Sequence, residues 1–237
     1  YGAGTAVTTG RSNTLIGGLA GDALTDADYN VAIGTDALTA DTLGSNSVAV
    51  GVGALYTQNF TTATNAYNVA VGRSAGLSVT TGVKNTLIGG LAGDAMTIGF
   101  NNIAIGYDAL GTNTYSAVGF AAGNAVTTGV QNTLIGGGAG DALTDADSNV
   151  AIGYLSLTTD TLGSRSIAIG QGALYSQNFT TGTNSYNVAV GYEAGGAVTT
   201  GDSNTLIGGL EGDALTTGTD NVAIGKNSLT ANTTASN

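Results

Sequence analysis

A five-residue pattern of a polar residue, a short mainly apolar run and a glycine recurs along the chain. One form is Asn30-Val31-Ala32-Ile33-Gly34, and a sister form is Asn13-Thr14-Leu15-Ile16-Gly17. Its β-branched residues favour extended backbone, and glycine in fifth place suits a corner with a positive φ. The pattern therefore predicts a short β-strand that ends in a turn, and it disfavours helix throughout.

The closing glycines of this pattern set a repeat length. Most steps between them are 17 residues long, two are 21 and one is 13, and the glycines are Gly17, Gly34, Gly51, Gly72, Gly89, Gly106, Gly119, Gly136, Gly153, Gly170, Gly191, Gly208 and Gly225. A unit of this length cannot bury a hydrophobic face alone, and a helical solenoid needs ~33 or more residues per repeat. We therefore predict an all-β fold, a parallel β-solenoid of about 13 rungs, with residues 1–237 forming a single repeat domain.

The order of the steps recurs after 119 residues, which indicates an internal duplication. Within each rung, Ala or Ser follows the corner glycine by three residues and Leu often comes next, as in Ala37-Leu38. This arrangement predicts a second strand. Asn opens the pattern in ten of the thirteen rungs, and stacked asparagines form ladders of hydrogen-bonded amides. We assign these asparagines a structural role.

The strand pattern is apolar on both faces, and this bears on assembly. The second and fourth side chains point to one face and the third points to the other; the third is always Ala or Leu, and the fourth is always Ile or Val. Such a strand is buried on both faces, so either another copy covers the outer face or longer turns fold over it. We favour a homotrimer with contacts through third positions, represented by Leu15, Ala32, Leu87, Ala104, Leu134, Ala151, Leu206 and Ala223.

Composition and charge exclude several classes of function. The chain has no His, Cys, Trp or Pro, so it lacks the usual nucleophile systems and the thiolate or imidazole ligands of metal sites. Its net charge of −11 would repel nucleic acids and anionic lipid surfaces. No apolar run approaches the ~20 residues of a membrane span. We expect no catalytic residues, no cofactor, no nucleic-acid partner and no membrane insertion.

Two acidic segments are partial matches to calcium motifs. The segment from Gly17 to Leu24 half matches a calcium-binding nonapeptide, but Ala20 replaces a required glycine and the matching rungs are not adjacent. The run from Asp26 to Asn30 begins like an EF-hand loop but lacks its glycine and its final glutamate. We therefore expect exposed acidic turns and no metal.

The rungs resemble a known repeat. Asn46-Ser47-Val48-Ala49-Val50-Gly51-Val52-Gly53-Ala54 and the segment from Asn221 to Ser228 are similar to the head repeat of trimeric autotransporter (YadA-like) adhesins, Asn-Ser-Val-Ala-Ile-Gly-x-x-Ser/Ala. Rungs of the form Asn-Thr-Leu-Ile-Gly-x-x-Ala-Gly are similar to those of phage tail fibres and tail spikes. The resemblance covers nearly the whole chain. It implies a left-handed parallel β-roll, trimerised along its length, on a bacterial surface or a virion.

Aromatic and amide residues cluster in the two 21-residue steps. Rings can stack on the apolar faces of sugars while amides bind their hydroxyls, and residues beyond the 17-residue rung are expected to project outward. The alternative is that the rings fill the gap left by a longer turn. The candidate glycan-binding residues are Tyr56, Gln58, Phe60 and Tyr67 and their copies Tyr175, Gln177, Phe179 and Tyr186.

These features predict a non-enzymatic, extracellular segment of a phage tail fibre or bacterial surface appendage. It would be a stiff spacer that contacts cell-surface glycans through its longer rungs. A second hypothesis is a structural filament without a receptor, whose ends stack on identical ends because neither terminus carries the cap that soluble solenoids need. A third is a tail spike that depolymerises polysaccharide.

Overall fold

The structure is a computed structural model that describes residues 2–110, 116–229, 231, 233 and 234. These residues form only short strands and turns, with no helix. The strands are parallel and recur about 17 residues apart, so the prediction of an all-β parallel solenoid is confirmed. The chain divides into two compact units, residues 1–114 and 115–237, and each is described by itself.

The first unit holds six stacked three-residue strands and one separate strand pair. The stack has the order β1-β2-β4-β6-β7-β8, with all neighbours parallel, and β3 pairs with β5. The strands are β1 (Thr14–Ile16), β2 (Val31–Ile33), β3 (Gly44–Ser45), β4 (Val48–Val50), β5 (Thr64–Asn65), β6 (Val69–Val71), β7 (Thr86–Ile88) and β8 (Ile103–Ile105).

The second unit repeats this plan with seven stacked strands. The stack has the order β9-β10-β11-β13-β15-β16-β17, and β12 pairs with β14. The strands are β9 (Ser116–Val118), β10 (Thr133–Ile135), β11 (Val150–Ile152), β12 (Gly163–Ser164), β13 (Ile167–Ile169), β14 (Thr183–Asn184), β15 (Val188–Val190), β16 (Thr205–Ile207) and β17 (Val222–Ile224).

The second strand predicted after each corner glycine is wrong. Ala37 and Leu38 lie in a turn, and Leu38 has a left-handed backbone with φ 53°. This turn still stacks on the next rung, because the Leu38 amide donates to the Ala54 carbonyl at 2.9 Å. The narrow rung must change direction several times, and left-handed residues make these corners at a cost of roughly 1–2 kcal/mol each. Among the described residues, second strands occur only in the pairs β3–β5 and β12–β14, each of which joins a longer rung to the rung before it.

The interior of each unit is lined by the third residue of the pattern, which corrects the prediction of oligomer contacts. Ala104 and Leu134 are fully buried within the chain itself, whereas the flanking Ile105 and Ile135 are 38% and 40% exposed. A thin solenoid has room inside for only one small or one leucine side chain at this point, so the larger β-branched residues face outward. The proposed contact residues therefore form core, fully buried at Ala32, Leu87, Ala104, Leu134, Ala151 and Leu206, 5% exposed at Ala223 and half-buried at Leu15.

In ten of the thirteen rungs leucine occupies one of two core positions, either the third residue of the pattern or the fourth residue after the corner glycine, and Ala or Gly occupies the other. In the rung of β7, Leu87 occupies the third position, and a Cβ on Gly93 would lie 2.9 Å from its Cδ2 atom. In the rung of β2 the third residue is Ala32, and Leu38 stands where the other rung has glycine. Both leucines are fully buried. The two rung types thus place similar volume in the same narrow interior.

The predicted asparagine ladder is confirmed in its geometry. The Asn68 side-chain oxygen accepts from the Asn85 backbone amide at 2.9 Å, and Asn85 in turn accepts from the Asn102 amide at 3.0 Å. The Asn85 side-chain amide also donates to the Gly99 carbonyl at 2.8 Å. Each buried asparagine therefore joins its own rung to the next and satisfies the backbone at the start of the strand.

The corner glycines are required by close contact between rungs. At Gly191, φ is 143°, and a Cβ atom would stand 2.5 Å from the carbonyl carbon of Gly208 and closer still to its oxygen. The same arrangement recurs at most of the other corners, for example where Gly153 meets Gly170. Any side chain at these positions would push two rungs apart.

Replacing a corner glycine should therefore unfold the stack locally. We expect Gly191→Ala to lower the free energy of unfolding by on the order of 3 kcal/mol or more, measured by urea denaturation. Gly182→Ala is the matched control, because nothing lies within 4 Å of its Cβ position and the first copy already has Ala63 there. Equal stability of the two variants would contradict the role of close glycine contact.

Candidate functional site

The eight candidate glycan-binding residues fall into a buried and an exposed group. Phe60 and Phe179 are only 6% and 7% exposed. Gln58 and Gln177 are fully buried. The assignment of these four residues to ligand contact is wrong, because their side chains belong to the core of the longer rungs. The exposed members are Tyr56, Tyr67, Tyr175 and Tyr186.

The buried amide of Gln58 belongs to a polar cluster around Asp41. The Asp41 carboxylate accepts from the Gln58 amide at 2.6 Å and from the backbone amides of Gly44 and Phe60, both at 3.0 Å. The Gln58 side-chain oxygen accepts from Asn68 at 2.8 Å, which connects the cluster to the asparagine ladder. The cluster replaces the apolar residue that other rungs place at this point, such as Leu24.

The second copy builds the same cluster around Asp160. Its carboxylate accepts from the Gln177 side chain and from the backbone amides of Gly163 and Phe179. Asn187 donates to the Gln177 oxygen at 2.8 Å. Sequence analysis did not identify either cluster. A signal was available, because Asp41 and Asp160 stand seven residues after a corner glycine, where Leu24, Val79 and Leu143 are apolar, and Gln58 and Gln177 occupy the same position in the following rungs.

The extra residues of the longer rungs do project outward, but they are not the aromatic ones. Residues 61–63 and 180–182 are exposed. Phe60 turns inward instead, and its ring packs over Gly44, where a Cβ atom would lie 2.7 Å from the ring. The phenylalanines therefore fill the gap beneath the longer turn, which was the alternative interpretation of these rings.

The four exposed tyrosines lie at two different corners of the longer rungs. Tyr56 and Tyr175 follow the corner glycine by five residues and are 42% and 43% exposed. Tyr67 and Tyr186 lie two residues before a strand and have left-handed backbones, with φ of 51° and 46°. The Arg165 guanidinium lies 5.8 Å from the centre of the Tyr186 ring, within the range of a cation–π contact.

The outward face of each stack carries β-branched apolar residues. In the first unit the fourth positions form a column of Ile and Val, in which Ile88 and Ile105 are opposite each other in neighbouring strands and are 39% and 38% exposed. In the second unit Ile135 and Ile207 are 40% and 38% exposed. The second and fourth positions carry no charged residue in any described strand. We call these columns the outer apolar face.

Acidic turn residues bind neighbouring rungs. Asp28 accepts from the Arg11 backbone amide at 2.6 Å, and Asp147 accepts from the Val130 amide at 2.8 Å. Asp22 accepts from the Thr39 hydroxyl at 2.5 Å. Among the residues that the structure describes, no group of three or more acidic side chains could hold a metal ion. The bonds of these carboxylates link one turn to the next.

Burial without a cationic partner raises the pKa of Asp41 above its ordinary value, although hydrogen bonds from Gln58 and from the amides of Phe60 and Gly44 oppose the rise. The folded state therefore holds the Asp41 proton more tightly than the unfolded chain does. The contribution of this group to stability is greatest at low pH and is lost as the pH rises above about 4 through the raised pKa.

Removing this titration should change the pH dependence of stability. We expect the free energy of unfolding of the native protein to fall more steeply above about pH 4 than that of Asp41→Asn, measured by urea denaturation at several pH values. The quantity compared is the slope of the free energy of unfolding against pH. Absolute stabilities are not compared, because the substitution also removes the hydrogen bond from Gln58 and lowers stability at every pH. Identical slopes would contradict a raised pKa.

Comparisons with known proteins add no family. The sequence matches no protein-family model, no curated protein and no solved structure. None of the described segments forms a helix with the length and hydropathy needed to cross a membrane. The fold is thus a parallel β-solenoid of repeated rungs, and the left-handed trimeric roll of YadA-like heads and tail fibres stays a prediction.

Proposed function

We propose that this chain is a non-enzymatic structural segment of an extracellular fibre, from a phage tail or a bacterial surface appendage. In this role it is a stiff spacer that associates with copies of itself through the outer apolar face. The proposal rests on the half-exposed Ile and Val side chains of that face. They lie on a regular parallel sheet whose described strands have no charged residue at the second and fourth positions.

The stiffness follows from the bonds between rungs. Strands, turns and asparagine side chains all bond to a residue about 17 positions away, as when the Gly34 amide donates to Ile16 at 2.7 Å. Bending a unit would stretch several of these bonds on one side at once. The described interior is filled by buried Ala and Leu side chains and by ladder asparagines.

A second copy is the partner that the outer apolar face fits best. The face repeats at the strand spacing of ~4.8 Å, so an identical face offers columns with the same period. Six strands in the first unit extend this face over on the order of 25 Å. The net charge of −11 does not oppose the contact locally, because the acidic residues lie in the turns and not on the face. A homotrimer is the assembly that the sequence resemblance implies.

Charges placed on this face should weaken association. We expect Ile88→Lys with Ile105→Glu to raise the dissociation constant by about tenfold or more, because association would then desolvate two charges. The substitutions leave the net charge unchanged and form an opposite-charge pair across neighbouring strands, which keeps the sheet intact. The measurement is sedimentation equilibrium, with circular dichroism to verify folding.

The matched control carries the same two charges on a turn of the same unit. Ile98→Lys with Phe100→Glu alters residues that are 63% and 58% exposed and lie off the outer apolar face. We expect this control to associate like the native chain. A native chain that remains monomeric at micromolar concentration, or equal association of both variants, would overturn the proposed self-association.

A further inference from the structure

A pocket of about 410 Å³ opens on the surface of the second unit beside Tyr175. Its volume is at the lower end of the range for small-molecule sites. We call it the Tyr175 pocket and define it by the side chains that give it chemical character: Tyr154, Gln171, Tyr175, Ser176, Glu193 and Asp213.

The pocket exists because glycine replaces larger residues in two neighbouring rungs. Gly172 and Gly196 line it without side chains, so the space above their backbone stays open. Glu193 closes one side, with its Cγ atom 3.1 Å from the Cβ position of Gly172. The Tyr154 ring lies against the backbone of the preceding rung, 3.4 Å from the Cβ position of Gly137.

Backbone bonds hold these elements in fixed order. Gly172 donates to the Tyr154 carbonyl at 3.0 Å, and Ser176 donates to Gly196 at 3.1 Å. The carboxylate of Glu193 also acts on its neighbour and raises the pKa of Tyr192. The pocket is therefore built on the stacked rungs and not on the projecting loop.

The first unit contains the counterpart of Tyr175, but a leucine stands over the corresponding backbone. Leu77 stands where the second copy has Gly196, and its Cδ1 atom comes within 3.7 Å of the Cβ position of Gly53. The leucine side chain thus covers the backbone that is open in the second unit. Tyr154, Gln171 and Glu193 are replaced in the first copy by Thr35, Val52 and Ser74.

The two copies differ at this place more than elsewhere. Seven of the ten residues that line the pocket differ from their counterparts 119 positions earlier. When all residues from 1 to 110 are compared with those 119 positions later, only 33 of the 110 pairs differ. The buried cluster around Asp160 keeps the same residues as the cluster around Asp41. The second copy has thus acquired a surface feature on an unchanged frame.

The side chains of the pocket select the ligand by charge and shape. Glu193 and Asp213 are acidic, and no Lys or Arg lines the pocket, so anionic ligands are repelled. Tyrosine rings can stack on the apolar face of a sugar ring, and the carboxylates, the Gln171 amide and the Ser176 hydroxyl can bond its hydroxyl groups. An organic cation such as a quaternary ammonium could contact the rings and the carboxylates, but it has no hydroxyl groups with which the Gln171 amide and the Ser176 hydroxyl could form hydrogen bonds.

We propose that the Tyr175 pocket binds an uncharged saccharide of one or two sugar units. The proposal rests on the proposed function for its choice of ligand class, since a surface fibre meets cell-surface glycans. Of the second set of residues that sequence analysis predicted, Tyr175 lines the pocket, whereas Gln177, Phe179 and Tyr186 do not. A single pocket of this size would bind weakly, and repetition in an oligomer would add avidity.

The test uses saturation-transfer NMR on the full chain with a fixed panel of probes. The neutral probes are glucose, galactose, N-acetylglucosamine and their disaccharides, each at about 10 mM, where a weak site is still occupied. N-acetylneuraminic acid and tetramethylammonium serve as an anionic and a cationic probe. We expect transfer to at least one neutral sugar and none to the anion.

Two pairs of variants locate the site. Gly196→Leu copies the residue of the first unit, and Tyr175→Ala removes the ring; each should weaken saccharide binding by about tenfold or more. Leu77→Gly and Tyr56→Ala make the corresponding changes in the first unit and should leave binding unchanged. Circular dichroism of each variant verifies the fold.

Three results would overturn the proposal: no neutral probe binds, only tetramethylammonium binds, or the Gly196 and Tyr175 variants bind like the native chain. Failure of the proposed function is separable, because the same samples are examined by sedimentation. The Ile88→Lys, Ile105→Glu variant should keep saccharide binding while it loses association.

Discussion

The close approach of successive corner glycines is the constraint on which the rest of this structure depends. The carbonyl group of one glycine occupies the space where a Cβ atom would stand on the glycine of the previous rung, as between Gly89 and Gly106. This contact fixes the distance between rungs at the corner. The asparagine ladder then bonds the start of each strand at the same spacing, so every rung must enter and leave its strand in the same place.

A rung that is fixed at its corner glycine and its ladder asparagine can vary in sequence and length elsewhere. The two copies of the duplication show where this variation occurs. The longer rungs absorb four additional residues by turning Phe60 and Phe179 inward and letting a short loop project. A buried aspartate with its amide donors fills the remaining space in each copy. On the outer surface the copies diverge, and the substitution of Gly196 for Leu77 opens a pocket without disturbing the stack.

Much of the fold could be predicted from the sequence because glycine and asparagine act through local backbone geometry. The period of the corner glycines gave the rungs, and Asn68 and Asn85 form the ladder that their recurrence predicted. The orientation of the strand was not predictable from hydrophobicity, since both faces are apolar. Ala104 lies inside and Ile105 outside because the interior is too narrow for a β-branched column, and this depends on the width of the rung.

The candidate site was predicted only in part for a similar reason. The aromatic and amide composition of the longer rungs drew attention to Tyr175, but the same composition builds the core around Phe179 and Gln177. Burial of Asp41 depends on which residues stack above and below it, and a pattern within one rung does not contain that information. The Tyr175 pocket involves four successive rungs, from Tyr154 to Asp213, so its members are far apart in the sequence.

The most direct test of this account compares the reactivity of two neighbouring positions. The chain has no cysteine, so Ala104→Cys and Ile105→Cys each introduce a single thiol that a soluble maleimide can label. We expect the thiol of Ala104→Cys to be protected in the folded protein at every concentration and to react only on unfolding. Cys at 105 should react rapidly in dilute solution and more slowly as copies associate. Rapid labelling at 104 in the folded protein would contradict the inward orientation of the third position.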